Sequence, residues 1–77
     1  PEEITATAVI ADKKLGVTKV VITVDGAEGK DVEKVLVNKE EVRIQRVEGK
    51  EVTILSAEDV KEVKIFVEGK GYKAELK

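Results

Sequence analysis

Apolar residues in this chain recur at every second position, in short runs broken by Gly, Asp, Asn or Ser, and this period of two constrains the fold more than any other feature. A helical period would scatter these residues around a cylinder, whereas a strand gathers them on one face. The inward sets are Ile4, Ala6, Ala8 and Ile10; Val20, Ile22 and Val24; Val42 and Ile44; Val52 and Ile54; Val63, Ile65 and Val67; and Tyr72, Ala74 and Leu76. With 14 Val and 6 Ile against 4 Leu, the side chains are mostly β-branched and suit a pleated surface.

Seven strands follow, over residues 3–11, 17–25, 31–37, 41–47, 51–56, 61–68 and 71–77. The third is irregular, because Val35 and Val37 share one face and Val32 and Leu36 the other; a one-residue bulge resolves this, as it does the Arg46-Val47 step of the fourth. Gly49 and Gly69 sit in very short links and predict tight hairpins between strands four and five and between six and seven. Residues 11–17, with Asp12 and Gly16, form a slightly longer hairpin joining the first two strands.

The remaining links, 26–30, 38–41 and 56–59, predict crossings between layers. In the last two, Asn38 and Ser56 stand three residues before an acid, which predicts a single helical turn in each. Ser56, the sole serine, is expected to cap the backbone N–H of Asp59 rather than act as a nucleophile. A helix over 57–67 is the competing reading of that segment. The expected fold is one all-β domain spanning 1–77, a seven-strand antiparallel Greek-key β-sandwich of immunoglobulin-like topology. Its rival is a partly closed meander β-barrel, which requires strands two and three to pair through Asp25-Gly26.

Chemistry is sparse in the pattern. There is no His or Cys, so neither a neutral-pH base nor a thiol nucleophile is available, and an enzyme is not expected. The adjacent acids Glu2-Glu3, Glu40-Glu41 and Glu58-Asp59 fall at the chain end or in turns rather than across a cleft. Asp25, Glu28 and Asp31 are close enough for a weak cation site but enclose Lys30 and lack a calcium-loop pattern, so no metal is assigned. Residues 26–30 lack phosphate-loop spacing, and no cofactor or small-molecule substrate is expected. A net charge of -2 with interspersed signs gives no reason to expect nucleic acid or membrane as a partner.

The segment Leu55-Ser56-Ala57-Glu58-Asp59 resembles the corner between the fifth and sixth of these strands in immunoglobulin variable domains, matching its Leu, Ala, Glu and Asp. Val63 stands where that family has a corner tyrosine, Ile65 where it has a disulfide cysteine, and the chain has no Trp. As a whole the chain resembles de novo designed immunoglobulin-like β-sandwiches. Its Glu-Gly-Lys triplet at 28–30, 48–50 and 68–70 reads as one turn solution reused, and Glu, Lys and Thr fill its outward positions. The resemblance implies a scaffold without native activity, expressed recombinantly in cytoplasm, whose loops can accept grafted binding segments. The alternative is a natural cysteine-free cell-surface or adhesion module.

Two places suggest a second copy as partner. Ile4 to Ala11 carries no charge and is expected at an unprotected sheet edge, with Thr5, Thr7 and Val9 on its outward side, which points to a homodimer through that edge. Phe66, with Leu36 nearby, points outward from the other layer.

Overall fold

A computed structural model describes residues 3–77. Eight strands form one mixed sheet: β1 (Thr5–Lys14), β2 (Val17–Asp25), β3 (Val32–Val37), β4 (Glu40–Val42), β5 (Ile44–Glu48), β6 (Glu51–Ser56), β7 (Val63–Val67) and β8 (Lys70–Leu76). Their order is β4-β3-β7-β8-β1-β2-β6-β5, and the sheet curls into a nearly closed, barrel-like form. The only helical element among the described residues is a 3-10 turn at Gly29–Asp31. All neighbours are antiparallel except β1 and β8, which run parallel with Thr7 opposite Glu75 and Ala8 opposite Leu76.

β2 lies between β1 and β6, with Ile22 opposite both Ala8 and Val52. The barrel-like closure suits the alternative expectation, but it is reached through the β1–β8 pair rather than through a ladder between β2 and β3. Inside it pack Ala6, Ala8, Val20, Ile22, Val24, Val32, Val35, Val37, Val52, Ile54, Val63, Ile65, Val67 and Ala74, with Ile4, Val42, Ile44, Val60 and Tyr72 partly buried around them. The alternation therefore assigned most inward positions. Two of them, Ile10 and Leu76, are each 40% exposed.

The fourth expected strand is two. β4 pairs with β3, the chain passes through Arg43, and β5 pairs with β6. The link at 38–41 therefore makes no crossing: the pairing partner changes later, inside the expected strand, and Asn38-Lys39 is a two-residue hairpin instead of a helical turn, with φ of 52° and 71°. The bulge in β3 falls between Val32 and Lys34, turning Val32, Val35 and Val37 all inward. That in β5 falls between Ile44 and Arg46, one step before the expected place, and a further one between Ile10 and Asp12 interrupts β1.

The three Glu-Gly-Lys triplets do not share one conformation, contrary to expectation. Gly49 opens its turn with φ +60°, whereas in the β7–β8 turn Glu68 (φ 52°) and Gly69 (φ 77°) are both left-handed. Those are the φ patterns of II′ and I′ hairpins respectively. Gly29 is buried, and its N–H donates to the Gly49 carbonyl at 2.9 Å. A Cβ there would lie 2.8 Å from that oxygen, so two of the triplets meet at one end of the sheet.

Candidate functional site

Three groups of residues carry what the sequence singled out: the turns at the arch end, the outer face of β3 and β7, and the outer face of β1, β2 and β6.

At the arch end, Ser56 is 5% exposed; its hydroxyl donates to the Glu58 carbonyl at 2.8 Å and accepts from the Glu58 N–H at 3.1 Å. It thus caps the turn one residue earlier than expected, and residues 57–62 contain no helix. The principal clamp here is Asn38, which the sequence presented only as a turn starter. Its Nδ2 donates to the Asp59 carbonyl at 2.7 Å, and its Oδ1 accepts from the Lys61 and Glu62 N–H groups at 2.9 and 3.1 Å. Its own backbone N–H donates to the Glu62 carbonyl at 2.9 Å. One side chain thereby ties the β3–β4 hairpin to the β6–β7 arch. The left-handed backbone at 38, which Asn tolerates well, is the local reason it fits. The groove beside it is lined by Asn38, Lys39, Glu58, Asp59, Lys61 and Glu62, open to solvent and of mixed charge.

At the opposite end, the Asp31 carboxylate accepts from the Glu28 N–H at 3.0 Å, so it serves the 3-10 turn. Among the described residues no three His, Cys, Asp or Glu converge as a metal would require. Of the adjacent acids, Glu40-Glu41 lie on β4 and Glu58-Asp59 in the arch, while Glu2 is outside the described residues. The Glu33 carboxylate accepts from the Gly69 N–H at 2.9 Å, closing the β7–β8 turn onto β3.

Leu36 and Phe66 do share the outer face of β3 and β7, and both are half-buried. Phe66 lies opposite Gly71 on one side and Lys34 on the other. A Cβ on Gly71 would come within 3.2 Å of the ring, so the glycine leaves room for it. Lys34 Nζ sits 4.7 Å and Lys64 Nζ 5.5 Å from the ring centroid, and their stems cover the aromatic face.

Thr5, Thr7 and Val9 point outward on β1, but the strand is not the edge it was expected to be. β8 covers it as far as Ala8, whose carbonyl accepts from the Lys77 N–H at 2.9 Å. The terminal strands of the order are β4 and β5. β1 becomes a one-sided strand only beyond Ala8, and there the chain places a bulge, Asp12, Lys13 and Lys14, the features that discourage strand addition. The outward residues remain accessible: Val9 is 45% and Leu55 40% exposed, with Thr7, Val21 and Thr53 half-buried between them. Comparison with protein-family models, curated proteins and solved structures finds no match to this chain.

Proposed function

We propose that this chain is a designed immunoglobulin-like β-sandwich framework with no native chemistry, whose turns can accept grafted binding segments. The observation that carries the reading is the substitution of supports at the β6–β7 corner. Val63 and Ile65, in the places of the family's tyrosine and cysteine, are fully buried as packing residues. The polar tie that a corner tyrosine would supply is made instead by Asn38 from the neighbouring hairpin. The ladders β5-β6-β2-β1 and β4-β3-β7-β8 support two facing layers, the chain changing layer at 26–31, at Arg43 and at the arch.

An accessible turn on a self-sufficient core is what a scaffold needs, because loop closure costs little for a modest insertion. The test is insertion of a six-residue Gly/Ser segment between Glu68 and Gly69, followed by heat unfolding. Retained cooperative unfolding is expected; loss of the folded state would refute the framework reading. The match of Leu55, Ala57, Glu58 and Asp59 to a natural corner favours a second reading, a cell-surface or adhesion module. Such a module would be encoded within a longer reading frame in a genome, which a designed chain would not.

A further inference from the structure

We propose that two copies of this chain associate face to face through the outer surface of β1, β2, β6 and β5, about a two-fold axis crossing the strands over Ala8, Ile22 and Val52. This goes beyond the framework reading and does not depend on the chain's origin. Registered side by side, the residues above and below that line form two outward rows. One contains Glu75, Thr7, Thr23, Glu51 and Glu48; the other contains Val9, Val21, Thr53 and Arg46, with Lys77 following Leu76 at its margin.

The two rows are complementary in charge at their ends. A two-fold axis between them sets each row against the other row of the second copy, so Thr23 meets Val21 and Thr7 meets Val9. Glu48 then meets Arg46, and Glu75 meets Lys77. Further out on β2, Lys19 meets Asp25 by the same operation. Within one copy these acids and bases already pair weakly across the rows, Arg46 with Glu48 at 3.4 Å and Lys77 with Glu75 at 3.2 Å, all well exposed. Across the axis each pair becomes a closed quartet flanking an uncharged patch of Thr7, Val9, Val21 and Thr23 on β1 and β2, while Glu51 on β6 faces Thr53. In a chain that is 39% charged, that uncharged patch on β1 and β2 stands out. The self-complementarity is what an isologous contact requires.

The free edges are poorer candidates. β4 has only three residues and carries Glu40 and Glu41, while β5 is bulged and carries Arg46 and Glu48. With strands about 4.8 Å apart and rows about 7 Å apart, the two rows across all four strands and the two outer half-rows, Thr5 with Asp25 and Lys19 with Leu55, give roughly 400 Å² of outer face per copy. Doubled over two copies this falls below the range of stable specific interfaces, so the contact is weak and populated only at high concentration.

The test is sedimentation velocity from about 20 μM to 2 mM, reaching the concentrations at which a weak contact is populated. Wild type should shift from monomer toward dimer. Val9→Lys and Lys19→Asp should each weaken the dimer about tenfold, and Lys19→Asp/Asp25→Lys should restore it. Heat unfolding of each variant at low concentration should match wild type, which separates loss of contact from loss of fold. A wild type that stays monomeric at the highest concentration would overturn the proposal. So would a dimer unaffected by Val9→Lys and by Lys19→Asp, which would place the contact at β4 or β5 instead.

Discussion

Replacing Asn38 with Ala should destabilise the protein strongly although the residue is not fully buried. The substitution removes three hydrogen bonds from the amide, to the Asp59 carbonyl and from the Lys61 and Glu62 N–H groups. Each is worth about 0.5–1.5 kcal/mol net, and partial exposure places them in the lower half of that range, about 2 kcal/mol together. The backbone at 38 has φ 52°, which Ala tolerates worse than Asn by about 1 kcal/mol. The sum is about 3 kcal/mol, against about 4–11 kcal/mol expected for a chain of this size. Heat unfolding followed by circular dichroism should show the midpoint falling by about 12–24 °C. Asn38→Gly separates the two contributions, since it loses the bonds but accepts the left-handed backbone, and should cost about 2 kcal/mol. If both variants unfold within about 0.5 kcal/mol of wild type, the arch is held by packing alone and the clamp argument is wrong.

Two further substitutions test the turns. Leu15 is 95% exposed at φ 54°, in a two-residue turn with Gly16, a position that suits Asn; Leu15→Asn should raise the midpoint by about 4–8 °C, and a lowered midpoint would contradict the turn assignment. At Gly26 the backbone has φ +92° and a Cβ would lie 2.5 Å from the Glu3 carbonyl oxygen, so Gly26→Ala should cost well over about 2 kcal/mol in denaturant unfolding. Gly16→Ala, at φ +78° with open space around the Cβ, should cost only about 1 kcal/mol, and equal effects at the two sites would refute the close approach at 26.

The apolar alternation made the inward faces legible because every layer has one buried side, so a register error would expose a whole strand. The bulge in β3 was readable for the same reason: Val32 and Val35 cannot both face inward without it. The role of β1 was not. An uncharged run from Ile4 to Ala11 looks like an unguarded edge when read alone, whereas β8 pairs with its middle at Thr7 and Ala8. The protecting charges, Asp12, Lys13 and Lys14, are separated from the β8 pairing by three residues, so the signal was present but its meaning depended on a pairing between distant segments. Arg43 hid the division of the fourth expected strand because alternation continues through Val42 and Ile44, both partly buried, while the hydrogen-bond partner changes from β3 to β6. Asn38 illustrates a third limit. A turn-forming amide can be recognised locally, but the backbone groups it serves lie 21 to 24 residues away. The Glu-Gly-Lys triplets show the converse, one short sequence taking three conformations according to the strands it joins.

The central claim is that eight strands close around a Val- and Ile-rich core through the β2–β6 and β1–β8 ladders, without disulfide or tryptophan. Interproton contacts measured by NMR in isotopically labelled protein test it most directly. Contacts between Val20 and Ile54, between Ile22 and Val52, and between Thr7 and Glu75 are the predicted result. A continuous set of backbone contacts between β2 and β3 in place of those between β2 and β6 would contradict it.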